Sequence, residues 1–109
     1  MIAITVYRNH SGQYKRIHCI GHAGFAQPGE DIVCAAVSVL VINTLNAIEA
    51  FTDESFDSET EAESGLIDVT FHCPGGHDAG LLLDTMVLGL QEIQDQYGTD
   101  YSLLTFKEV

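Results

Sequence analysis

Basic residues are scarce. Among 109 residues, 4 Lys and Arg stand against 16 Asp and Glu, a formal net charge of −12. Phosphate contacts need clustered cations, so this shortage argues against nucleic acid as a direct partner. A basic partner would be drawn by the same field, although excess charge also serves solubility alone. Cysteine is sparse, and its count of 3 is odd, so no disulfide framework is expected. The start, Met1-Ile2-Ala3-Ile4, lacks the basic region and cleavage site of a secretory leader. Together these point to free thiols in a reducing compartment. The longest apolar run, Ile32 to Ile42, contains Ser38 and falls short of the roughly 18 residues a membrane span needs. With 2 prolines and no tryptophan, the chain shows no linker and no low-complexity tract. What remains is 46% hydrophobic, enough for one globular domain over residues 1–109 with its own core.

Ile2, Ile4 and Val6 alternate with Ala3, Thr5 and Tyr7, which is strand periodicity. Asn9-His10-Ser11-Gly12 turns the chain into a second strand, Tyr14 to Cys19. A loop from Gly21 to Glu30 follows. Asp31 then reads as the N-cap of a helix over Ile32–Phe51. Its β-branched residues favour strand locally, but its length and alanines favour helix. The first half is apolar on nearly every side, as in a helix buried centrally or covered by a partner subunit.

Asp57, Glu59, Glu61 and Glu63 alternate strictly and predict one solvated face of a strand, whose charge also protects an edge from pairing. Ser64-Gly65 turns into a strand Leu66–Cys73, and Pro74-Gly75-Gly76 breaks it. Leu83, Met86, Val87, Leu90, Ile93 and Tyr97 fall at helical spacing, with Gly98 as C-terminal cap and Tyr101–Phe106 as a last strand. The order ββαββαβ predicts an α+β domain, two helices packed on a largely antiparallel sheet.

Cys34 falls in the first helical turn, where unpaired amides and the helix dipole converge. Both favour a thiolate, the nucleophilic form, and the same amides could hold an oxyanion. His22, at the end of a strand across a short glycine-bearing loop, is placed to take the Cys34 proton. A cysteine in an apolar helix is also simply a packed small side chain, so the residues alone leave both readings open. Asp31 either caps the helix or orients His22 as the third group of a triad. A carboxylate this close to Cys34 opposes thiolate formation. Ser38, one turn on, faces the same way as Cys34 and bonds either near the thiol or back to the Cys34 carbonyl. His72, Cys73 and His77, with His18 and Cys19, form a Cys/His inventory of the kind zinc uses. They lack paired Cys-x-x-Cys spacing, so no metal or cofactor is expected.

Gly21-His22-Ala23, then Gly29, then Asp31-Ile32-Val33-Cys34-Ala35-Ala36-Val37-Ser38 and Asn46-Ala47-Ile48 resemble the ribosomal-processing cysteine protease family, Prp. Leu90-Gln91-Glu92-Ile93 and Tyr97 extend the resemblance, which covers most of the chain; the middle acidic region is generic. The resemblance implies a homodimeric α+β endopeptidase of the bacterial cytoplasm. It implies removal of the short N-terminal extension of a large-subunit ribosomal protein, with no direct nucleic-acid or membrane partner. On this resemblance His22 and Cys34 take the catalytic positions, and Asp31 and Ser38 the motif positions nearby. The loop between them, with Gly21 before it and Gly24, Pro28 and Gly29 within it, is then expected to move over a bound peptide. Two other classes stay open: a non-catalytic dimeric ribosome-associated protein, and a zinc or thiol binding module.

Overall fold

The computed structural model describes residues 1–27, 30–72 and 76–109. Seven elements follow in the expected order: β1 (Ile2–Arg8), β2 (Tyr14–Ile20), α1 (Ile32–Phe51), β3 (Phe56–Glu61), β4 (Leu66–Phe71), α2 (His77–Tyr97) and β5 (Ser102–Glu108). The fourth strand ends at Phe71, short of the expected Cys73, which lies outside the described residues together with Pro74 and Gly75.

The five strands form one sheet in the order β3-β4-β2-β1-β5. Neighbours are antiparallel except β1 and β5, which run parallel from Ile2↔Ser102 to Arg8↔Glu108. Register follows burial. Ile4 faces Cys19 and Val6 faces Ile17 across β1–β2, and Ile17 faces Val69 and Cys19 faces Ile67 across β2–β4. This one apolar face joins Val33, Val37, Val41 and Ile48 of α1 and Leu83, Met86 and Leu90 of α2 in a single core. A one-residue slip would turn the whole face to water. The two helices touch closely at Gly89, where an added Cβ would press on Leu40.

By length and composition alone α1 is apolar enough to cross a bilayer. In this fold Val33, Val37, Val41, Leu45 and Ile48 of that helix are core residues, which accounts for much of its hydrophobicity. Its far side leaves Ile32, Val39, Ile42 and Phe51 exposed.

The topology gathers four chain segments at one end of the sheet. β2 ends there, α1 begins there, β3 turns into β4 there, and α2 runs out there before β5.

Candidate active site

The close approach of two glycines sets the frame. Gly21 follows β2 at φ +98°, and Gly65, in the β3–β4 turn, has φ +70°. An added Cβ on Gly65 would fall inside the envelope of the Gly21 carbonyl oxygen, so backbone meets backbone here only because Gly65 has no side chain. The Gly21 N–H donates to the Ser64 carbonyl at 2.9 Å. This brings Ala62 and Glu63 beside His22 and completes a cleft of about 680 Å³. Its lining includes His22, Gly24, Asp31, Cys34, Ser38 and Glu63. The volume suits a small ligand or a few residues of peptide.

Asp31 closes the start of α1. One oxygen accepts from the Val33 amide at 3.0 Å and the Cys34 amide at 2.9 Å, and the other from the Phe25 amide at 3.0 Å. The open question about Asp31 thus has a structural answer: it caps the helix, while His22 bonds elsewhere. Burial raises the Asp31 carboxyl, but the amides of Cys34, Phe25 and Ala26 and the Cys34 thiol outweigh it and hold it below 3.8.

Two expectations change as a result. Of the helix-start amides that could hold an oxyanion, those of Val33 and Cys34 are occupied by Asp31. The Cys34 thiol is raised above its ordinary value rather than lowered; burial is the main cause, and the nearby Asp31 charge adds to it. Opposing both, the Ala23 N–H points at Sγ from 3.1 Å and favours the thiolate. Ser38 borders the cleft one turn after Cys34, but among the described residues its hydroxyl makes neither expected bond.

His22 is exposed, and its Nε2 lies 2.7 Å from the Glu63 carbonyl oxygen. Among the described residues no hydrogen bond joins it to Cys34. The loop after it is pinned by Phe25, whose ring packs edge-on against Tyr97 and Tyr101 at centroid distances of 5.5 and 5.2 Å. Gly24 lines the cleft; Pro28 and Gly29 lie outside the described residues. Phe25, Ala62 and Glu63 carry no local sequence signal of a site; only the long-range meeting of Gly21 with Gly65 brings the last two there.

Of the described cysteines, Cys34 borders the cleft, whereas Cys19 is buried and its thiol is pushed up to about 12 by burial, with Asp68 adding. Among the described residues no group of three His, Cys, Asp or Glu is placed to hold a metal. His72 instead sits 2.9 Å from Ser55 Oγ and 2.8 Å from Asp57. His77 pairs with Asp78 at 3.2 Å.

A family model for cysteine protease Prp matches residues 1–102. The chain belongs to the cysteine protease Prp family. It is 30% identical over 103 residues to the ribosomal processing cysteine protease Prp of Staphylococcus aureus, a match covering 94% of this chain and 97% of that protein. The Bacillus subtilis protein of the same description is 28% identical over 111 residues, covering 96% and 97%. An essential ribosomal processing protease Prp from S. aureus, solved with a covalently linked product peptide, matches with TM-score 0.93 at 30% identity, covering 98% of this chain and 100% of that one. The S. aureus protease solved with a substrate peptide matches with TM-score 0.87 at 29% identity, with the same coverage. The Prp fold thus extends over nearly the whole chain, and the enzyme class is cysteine protease.

Proposed function

We propose that this protease is an endopeptidase that removes the short N-terminal extension of a large-subunit ribosomal protein, with Cys34 as nucleophile and His22 as base. The observation that carries the reading is the placement of Cys34 and His22 on one cleft. The fold around it matches that of a protease solved with a covalently linked product peptide. His22 takes the Cys34 thiol proton, and the sulfur attacks the scissile carbonyl. The C–N bond breaks as His22 returns the proton to the leaving amine. Water, deprotonated by His22, then splits the thioester and restores the thiol. The Ala23 amide supports the thiolate, and the Phe25-anchored loop moves over the bound peptide.

Charge supports a basic substrate. The four cations, Arg8, Lys15, Arg16 and Lys107, follow from the ends of β1 and β5 and the start of β2, the end of the sheet away from the cleft. Arg16 is already paired with Asp68 at 2.7 Å. The cleft end, with Asp31, Glu59, Glu61 and Glu63, is left anionic and would attract a cationic chain. We place the enzyme in the bacterial cytoplasm, as a homodimer formed through the exposed apolar face of its helices.

The test is cleavage of a ribosomal-protein extension peptide by the wild type, Cys34→Ala and His22→Ala. Cleavage is expected to be lost in Cys34→Ala and reduced by about 10²–10⁴-fold in His22→Ala. Full activity in either variant would overturn the dyad. A wild type that binds the peptide without cutting it would favour the non-catalytic reading.

A further inference from the structure

A carbonyl oxygen only accepts hydrogen bonds, so a ring nitrogen 2.7 Å from the Glu63 carbonyl must carry the proton. In the neutral ring this leaves Nδ1 bare. A histidine's reactive nitrogen is set by the bond its other nitrogen makes. We infer that the Glu63 backbone carbonyl is the positioning group of the catalytic histidine, holding Nε2–H so that Nδ1 is the atom that takes the Cys34 proton. The inference rests on the reading of His22 as base.

Among the described residues Asp31 makes no hydrogen bond to His22 and does not take this task. Its oxygens are committed to the amides of Val33, Cys34 and Phe25, and the histidine bonds 41 residues along the chain instead. The carbonyl comes from the turn between β3 and β4, and that turn is fixed against the end of β2 by the Gly21 N–H to Ser64 carbonyl bond. Gly65 permits the approach. The glycine in the acidic hairpin therefore acts on the chemistry through the backbone. A carbonyl is a neutral acceptor, so it orients the ring without placing another negative charge beside a thiol that Asp31 already disfavours as thiolate.

Two experiments decide it. In the Cys34→Ala protein, nitrogen NMR of the imidazole reads the tautomer. The neutral His22 ring is expected to be protonated at Nε2, with an NOE from that proton to the Glu63–Ser64 backbone. Protonation at Nδ1, or absence of the NOE, overturns the inference. In the second, Gly65→Ala pushes the turn off Gly21. Its kcat is expected to fall at least about tenfold, as when the group that orients a reactive histidine is lost, whatever the displaced cleft wall does to KM. Gly12→Ala, also at positive φ but with nothing within 4 Å of the added Cβ, carries similar backbone strain and leaves kcat unchanged. A folded Gly65→Ala protein with wild-type kcat overturns the inference. If Gly65→Ala does not fold, the NMR result alone decides. Full activity in His22→Ala would instead remove the histidine itself from catalysis, so the two failures are distinguishable.

Discussion

At Asp31, one carboxylate serves the fold and opposes the chemistry. It satisfies two of the amides that a helix start leaves without partners. The same charge adds to burial in holding the Cys34 thiol protonated. Asn caps a helix about as well as Asp but carries no charge. Asp31→Asn is therefore expected to keep the fold and move the pH profile of Cys34 alkylation to lower pH. An unmoved profile would mean that burial alone holds the thiol up. Asp31→Ala is expected to lose about 1 kcal/mol with the cap, read by urea unfolding at pH 7. The sign with pH follows from the depressed carboxyl: its stabilisation is present above the ordinary value of 3.8 and is lost as pH falls through the lower folded value. The gap between wild type and Asp31→Ala should narrow in acid. Sequence made the cap legible, because Asp directly precedes an apolar helical run. It also suggested a free, activating helix terminus at Cys34, which the cap contradicts, since amides held by Asp31 are not free to hold an oxyanion.

At the scale of elements, local patterns were enough to name every strand and helix in order. Alternation in Ile2–Val6 and helical spacing from Leu83 to Tyr97 each depend on one segment and one apolar face. Pairing depends on distant segments, and nothing within Ser102–Glu108 announces that β5 joins β1 in parallel. The same limit hid half of the cleft. Glu63 reads as part of a solvated acidic strand, and it becomes a cleft residue only because Gly65 lets its turn reach Gly21. Phe25 likewise looks like an isolated aromatic in a glycine-bearing loop until the end of α2 and the turn before β5 bring Tyr97 and Tyr101 to it. Edge-on aromatic pairs are worth about 0.5–1.5 kcal/mol each, so Phe25→Ala should release the loop over the cleft. Amide hydrogen exchange at Ala23–Gln27 is expected to quicken about tenfold or more, while the helix cores keep their protection. Unchanged exchange there would show that the Asp31 bonds alone hold the loop, and equal exchange with and without bound peptide would remove its role as a lid.

At the scale of the whole molecule, the two helices cover one face of the sheet but nothing within the described chain covers the helices. Val39 is 67% exposed on α1 and Leu88 63% on α2, with Ile32, Ile42, Phe51 and Leu81 also open to water. Between the helices a groove is lined by Ile32, Ala35, Ala36, Val39, Leu40 and Ile93. An apolar surface of this kind on a small acidic protein is expected to be an interface, and an exposed face on paired helices suits a two-fold dimer. A dimer would also bear on catalysis, because Ala35 lines both this groove and the cleft that holds Cys34. Sedimentation of the wild type should give twice the chain mass. Val39→Glu places a charge on this patch, where an unpaired ion would be costly once a second copy covered it, and should give a folded monomer with reduced peptide cleavage. A monomeric wild type would remove the dimer, and a Val39→Glu monomer that cleaves at the wild-type rate would show that each cleft works alone.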